Sequence, residues 1–418
     1  MQFMKTEIPE GYKNSPVGII PEEWEVKRLG ELFTFKNGIN SGKENYGSGI
    51  KFVNTLDVLN NIFITYETIK GSVEVSKIQE EEFAVRFGDI LFNRTSETRE
   101  DVGHSVVYLD DKKAVFGGFI IRAQEKKKDL HFNFKKYCFK VGYVRSQITA
   151  LGNGAIRYNI GQNDFSKVII VVPPLLEQQK IAEIISEWDV AIEKQTLLIE
   201  KLELRKRALM QQLLTGKKRL KGFDGEWKSV KLGDIANIYQ PQTIGQNEMT
   251  PDGYDVYGAN GIIGKYSRYN HEKSQIAVVC RGSTCGIINF TKPYSWITGN
   301  AMVINVDDNK NVNKFYLNDY LVVDDLSYLI SGSGQPQITG SIRNHKILLP
   351  SLSEQTAIAE ILLTADQGIH IAKEKLEQLK KQKKGLMQVL LTGKKRVITT
   401  TNTQTNENIR NQKPIRAV

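Results

Sequence analysis

The chain is 418 residues long, 40% hydrophobic and 25% charged, with 57 Lys and Arg against 47 Asp and Glu for a net charge of +10. That length allows two or three folding units, each able to bury a core without help. No stretch approaches 18 consecutive apolar residues and the first thirty residues lack the order of an export signal, so the expectation is a cytoplasmic protein with no membrane partner. The charge surplus favours polyanionic partners. Three cysteines, Cys138, Cys280 and Cys285, are too few for a disulfide framework and are expected as reduced thiols.

In chain order, a short N-terminal strip (1–22) leads into IPEEWEVKRLGEL around Trp24, which opens a first body (23–174). Its apolar runs GDILFN, HSVVYLDD, AVFGGFIIRAQ and KVIIVVPP are short, β-branched and bounded by glycine or charge, and predict strands. A first long helix (175–216) follows, then a linker (217–226) and a second Trp-containing opening, GEWKSVKLGDI around Trp227. The second body (227–350) carries QIAVVCRGS, GIINF, AMVINV and KILLP as strands and NKFYLNDYLVVDDLSYLI as helix, so both bodies are predicted to be mixed α/β with a curved sheet. A second long helix (351–393) and a polar, aperiodic tail (394–418), expected to be disordered, complete the chain.

An internal repeat organises these elements. PPLLEQQKIAEIISEWDVAIEKQTLLIEKLELRKRALMQQLLTGKKR, from Pro173, matches PSLSEQTAIAEILLTADQGIHIAKEKLEQLKKQKKGLMQVLLTGKKR, from Pro350, at a constant offset of 177 without insertion. Stepping by heptads gives a first seam of Ile181, Ile185, Trp188, Ile192, Ile199, Leu202, Leu209 and Leu213. The second copy gives Ile358, Leu362, Ile369, Leu376, Leu379, Leu386 and Leu390. Gln195 interrupts the first series, and a lysine falls at the same place in each, Lys206 and Lys383. Prolines precede both segments, Ser351 with Glu354 predicts a capping box, and Gly216 and Gly393 predict the helix ends. At 1.5 Å per residue each rod would be roughly 55 Å long, and neither can bury its apolar stripe alone. The predicted fold is therefore two mixed α/β domains separated by two long antiparallel helices that form a coiled-coil spacer with pseudo-two-fold symmetry.

Catalytic motifs are not found. Methyl transfer would need a glycine-rich strand turn and an Asn or Asp followed by Pro-Pro and an aromatic, but Pro173 and Pro174 lie between valine and leucine. GANGIIGKYS and the two TGKKR stretches fail the phosphate-loop spacing, and five histidines are scattered without metal-ligand spacing. Glu25 and Lys27 match a nuclease fragment only over three residues. The expectation is a binding module with no catalytic residue, no metal and no cofactor of its own. A free-standing nuclease or methyltransferase with unrecognised motifs, and a helical scaffold whose charge is incidental, stand as alternatives.

The entries PLLEQQKIAEII and SLSEQTAIAEIL, the LLTGKKR exits, the FDGEW linker and the opening IPEEWEVKRLGEL together resemble the specificity subunit of Type I restriction-modification systems, over essentially the whole chain up to Arg396. That resemblance implies two target recognition domains in a circular arrangement, with the N-terminal strip packed near the end of the second helix. It also implies double-stranded DNA and two copies of a methyltransferase subunit as partners, with restriction and translocation subunits joining in some assemblies. Adenine N6 methylation with S-adenosylmethionine, and translocation and cutting with ATP and magnesium, would reside in those partners.

Base edges are read by Arg, Asn, Gln, Ser and Thr on exposed loops. In the first body FNRTSETRE and GNGAIRYNIGQN nominate Asn93, Arg94, Thr95, Ser96, Asn153, Arg157, Tyr158 and Asn159. In the second, YGANGIIG, CRGSTCG and GSGQPQITGS nominate Tyr257, Asn260, Arg281, Ser283, Thr284, Gln335, Gln337 and Thr339. Arg94 and Arg281 are expected at equivalent places, each at the end of a central strand.

Overall fold

The computed structural model describes residues 8–332 and 334–398. The first seven residues of the expected strip and the tail from 399 onward lie outside them. Among the described residues the chain divides into two compact units, 8–194 with 377–398, and 195–376. The division runs through the long helices, not around them, so each unit holds one body together with part of each helix.

In the first unit, a hairpin of Tyr12–Ser15 and Gly18–Pro21 precedes strand Glu25–Arg28, which pairs antiparallel with Ile169–Val172. The body's main sheet has five strands in the order Phe33–Asn37, Ile120–Glu125, Ile90–Asn93, Ser105–Tyr108, Phe63–Ile64. The apolar runs seen in the sequence are continuous, not alternating, because both faces of this sheet are covered. Ile90, Phe92, Val107 and Ile121 point into one core with Phe139 and Phe165, while Leu91, Val106, Tyr108 and Ile120 point into another with Val53 and Phe116.

The second unit repeats the plan. Strand Lys228–Lys231 pairs with Lys346–Leu349, and the main sheet runs Asn237–Tyr239, Ala301–Asn305, Ile276–Val279, Ile288–Phe290. Here too the strand alternates between two cores, Ile276 and Val278 in one and Ala277 in the other.

The long helices span Leu175–Leu213 and Leu352–Leu390, 39 residues each. Every predicted seam residue is sheltered. Ile181, Ile185, Ile199, Leu213, Ile358, Leu362, Ile369 and Leu390 are buried, and Trp188, Ile192, Leu202, Leu209, Leu376, Leu379 and Leu386 are half-buried. The pairing is antiparallel in each unit. In the second, Gln195 Nε2 donates to the Ala372 carbonyl at 2.9 Å, Lys373 meets Glu203 at 2.6 Å and Lys206 meets Asp366 at 2.6 Å. In the first, Lys383 bonds Asp189. The repeated seam lysine thus has the same acidic partner twice, since 206 plus 177 is 383 and 366 minus 177 is 189.

Both helices end on a left-handed glycine, Gly216 at φ 70° and Gly393 at φ 72°. The N-terminal cap differs from expectation. The Glu354 backbone N–H reaches the Ser351 hydroxyl at 3.4 Å, but the Glu354 carboxylate does not fold back to complete the box. It is buried and accepts from the Arg219 guanidinium at 2.7 and 2.8 Å and from Trp227 Nε1 at 3.1 Å. Glu177 does the same for Arg396, at 2.7 and 2.9 Å, and for Trp24 Nε1 at 2.9 Å. A charge-assisted fork with a neighbouring indole donor is a stronger partner than the local cap it replaces.

Candidate DNA-reading surface

In the first body the two nominated loops come together beyond the end of the central strand Ile90–Asn93. Thr95–Ser96 pair antiparallel with Tyr158–Asn159, and the Thr95 hydroxyl donates to Asn159 Oδ1 at 2.7 Å. Asn153 and Asn159 exchange backbone hydrogen bonds at 2.9 and 2.8 Å, and the Ile160 N–H reaches the Arg94 carbonyl at 3.0 Å. Asn153, Arg157 and Asn159 are exposed, while Arg94, Thr95, Ser96 and Tyr158 are half-buried. Two arginines near this surface serve the backbone: Arg99 Nε donates to the Thr149 carbonyl at 2.9 Å, and Arg145 donates to the carbonyls of Glu100, Val102 and Gly103.

The second body gathers its nominees in the same way. Arg281 bridges Gln337, Ser331 and Gln337 exchange backbone hydrogen bonds at 2.9 Å, and the Ile338 N–H reaches the Cys280 carbonyl at 3.0 Å. The Thr284 hydroxyl, half-buried, donates to the Ala259 carbonyl at 2.8 Å, which draws the loop carrying Asn260 alongside. Asn260, Arg281, Ser283, Gln335, Gln337 and Thr339 are exposed.

Three expectations change. Asn93 is fully buried: its Oδ1 accepts from the His104 N–H at 2.6 Å and its Nδ2 donates to the Asp101 carbonyl at 2.8 Å, so it holds the loop from beneath and has no face for a base. Tyr257 is also buried, with its hydroxyl accepting from the Lys292 N–H at 3.1 Å, and it anchors a strand. The equivalence of Arg94 and Arg281 is off by one residue. Asn93 pairs with Ile120 as Val279 pairs with Ala301, and the Arg94 carbonyl receives the N–H that the Cys280 carbonyl receives in the other body. Arg94 therefore corresponds to the buried Cys280, and Arg281 corresponds to Thr95.

The other sequence features resolve locally. Lys27 forms ion pairs with Glu25 at 2.9 Å and Asp129 at 3.2 Å, which accounts for the nuclease-like fragment. Cys138, Cys280 and Cys285 are free. Among the described residues no group of three His, Cys, Asp or Glu side chains is placed to hold a metal ion, and no helix is long and apolar enough to cross a membrane. At the chain ends, the Tyr12 hydroxyl donates to the Gly393 carbonyl at 3.1 Å, and Ile20 and Trp24 share a core with Leu390, Leu391 and Val397.

Two bodies that share a four-stranded core order, extended by one strand in the first, each run into a long helix and present a matching loop pair with different side chains, and together define a duplicated recognition protein. The chain belongs to the family described as Type I restriction modification DNA specificity domain, which matches twice, over residues 21–204 and 224–381. Two proteins of Methanocaldococcus jannaschii, named for the specificity subunits of the type I restriction enzymes MjaX and MjaVIII, are similar along almost their full length. The first is 26% identical over 430 residues, covering 96% of this chain and 99% of that protein, and the second 25% over 444 residues, covering 95% and 98%. The fold matches the crystal structure of a Type I restriction-modification S subunit from M. genitalium, with a TM-score of 0.55 at 19% identity over 90% of this chain and 97% of that one. It also matches a chain solved in work on complex assembly and conformational transition of the type I R-M system, with a TM-score of 0.57 at 17% identity over 90% and 99%.

Proposed function

We propose that the chain is the DNA sequence-specificity subunit of a Type I restriction-modification complex, in which each body reads one half of an asymmetric bipartite target. The observation that carries this reading is the pair of loop clusters: one scaffold, held by the same backbone hydrogen bonds, carries Thr95, Arg157 and Asn159 in one body and Arg281, Gln335 and Gln337 in the other. A shared backbone with unlike donors and acceptors is what two different half-sites require. Two continuous helices fix the unread gap and dock two copies of a methyltransferase subunit. The chemistry belongs to partners: S-adenosylmethionine serves the methyltransferase, and ATP and magnesium serve restriction and translocation subunits where they assemble. The setting is the cytoplasm.

The test is reconstitution with the cognate methyltransferase subunit, followed by mapping of methylated adenines. The expected result is a two-part motif with unlike halves and a constant gap. Incubating the chain alone with DNA, magnesium and labelled S-adenosylmethionine should give neither cleavage nor methyl transfer. Either activity would establish a free-standing enzyme, and absence of DNA binding by the reconstituted complex would establish a scaffold.

A further inference from the structure

The reading loop of the first body ends in an apolar side chain. Ile156 is 88% exposed, beside the exposed Arg157. One exposed isoleucine is ordinary on a protein surface, but this one stands on a fixed support. The reciprocal backbone hydrogen bonds of Asn153 and Asn159 close the loop beneath it, and the pairing of Tyr158–Asn159 with Thr95–Ser96 ties it to the end of the central strand. Gly154, at φ +145°, makes the turn tight enough that a Cβ there would lie 1.9 Å from the Arg157 carbonyl oxygen.

In the second body the reciprocal backbone hydrogen bonds of Ser331 and Gln337 close a loop of the same length, of which residue 333 lies outside the described residues. Gly332, at φ +92°, replaces Gly154, and a Cβ there would lie 2.6 Å from the Gln335 carbonyl oxygen. The residue that corresponds to Ile156 is Gly334, which presents no side chain. The apolar tip is therefore not a requirement of the fold.

Along the major groove, the one apolar group on a base edge is the C5 methyl of thymine. A β-branched side chain has few rotamers to lose on contact, and the exposed Arg157 beside it supplies donors for an adjacent position. We propose that Ile156 reads a thymine methyl group in the half-site recognised by the first body. This rests on the DNA-reading role proposed above.

The experiment uses the complex of the full chain with its methyltransferase subunit. Methylated-adenine maps of cells carrying wild type or Ile156→Ala should differ at a single T·A position in one half of the motif, with the other half unchanged. At that position, replacing thymine by deoxyuridine removes only the methyl group. It should weaken wild-type binding about fourfold, the worth of one buried methyl, and leave Ile156→Ala binding unaffected. An unchanged motif in Ile156→Ala overturns the proposal. So does insensitivity to deoxyuridine at every thymine of that half-site combined with uniformly weaker binding by Ile156→Ala, which would make the residue a sequence-blind wedge. If the wild-type complex yields no two-part motif, the DNA-reading function itself fails, an outcome distinct from either of these.

Discussion

Arg396 closes on Glu177 with two hydrogen bonds, at 2.7 and 2.9 Å, across 219 residues of chain. Glu177 is 2% exposed and also accepts from Trp24 Nε1, so the start of the first body, the start of the first helix and the end of the second meet at one carboxylate. Removing Arg396 leaves that carboxylate buried with only the indole donor. Arg396→Ala should therefore destabilise the first unit by about 3 kcal/mol, the cost of stranding a buried charge. Glu177→Gln, which keeps an acceptor for Trp24, should cost less. The twin substitution Arg219→Ala, which strands Glu354, should act on the second unit instead. Hydrogen exchange in the strand pairs Glu25–Arg28 with Ile169–Val172 and Lys228–Lys231 with Lys346–Leu349 reads the two units separately. Equal loss of protection in both pairs from either variant would contradict the assignment.

Asn93 and Arg281 should separate stability from specificity. Asn93→Ala removes the side chain that satisfies the His104 N–H and the Asp101 carbonyl, and leaving such buried groups unpaired costs about 1 to 3 kcal/mol each. The melting temperature should fall while the methylation motif stays the same. Arg281→Ala should leave stability within about 0.5 kcal/mol, as for an exposed position, and relax one position of the second half-site by about 1 to 3 kcal/mol. A melting curve and a methylation map on each variant decide the matter. A broadened motif in Asn93→Ala, or uniform weakening on all sequences in Arg281→Ala, would reverse the roles.

Asp89 predicts a pH dependence. It is 4% exposed, and burial pushes its carboxyl up to about 6, against the pull of the Arg86 backbone N–H and the charges of Arg122, Lys135 and Arg86. The folded state therefore holds this proton more tightly than the unfolded chain, so the group's contribution to stability falls as pH rises from about 4 to about 6 and is a constant penalty above that. Asp89→Asn mimics the neutral form. The variant should match wild type near pH 3.5 and exceed it by about 3 kcal/mol at pH 7, with the gap opening between those values in denaturation of the first unit. A pH-independent gap would show that Asp89 ionises freely.

The repeat, the helices and the seam were legible because a 3.5-residue period and a constant offset survive in the letters themselves. Seam residues from Ile181 to Leu390 follow from that period alone. The acids opposite Lys206 and Lys383 carry no such signal, because Asp189 sits one position past the seam residue Trp188 and Asp366 at the matching place in the second copy, off the apolar series. In the bodies, residue type showed which loops carry donors but not which of those side chains turn inward, and Asn93 and Tyr257 turned out to brace the loops. The one-residue slip between Arg94 and Arg281 has a similar origin. Strand register is set by backbone pairing with Ile120–Glu125 and Ala301–Asn305, whereas the shared Arg-x-Ser letters of Arg94–Ser96 and Arg281–Ser283 align the two arginines one residue out of that register.

The two helix-ending glycines should respond unequally although the repeat makes them twins. Both have φ near +70°, so alanine at either site meets the left-handed strain of about 1 kcal/mol. At Gly216 the new methyl would rest 3.6 Å from the Trp227 ring, an ordinary contact. At Gly393 it would lie 2.3 Å from Pro21 Cδ, and the hairpin strand Gly18–Pro21 would have to shift, adding about 1 to 3 kcal/mol. Gly393→Ala should therefore destabilise the first unit by about 3 kcal/mol, and Gly216→Ala the second by about 1 kcal/mol. Truncating the hairpin neighbour with Pro21→Ala should recover part of the Gly393→Ala loss and none of the Gly216→Ala loss, because only the first is steric. Absence of that recovery in a double-mutant cycle would place the whole cost in backbone strain.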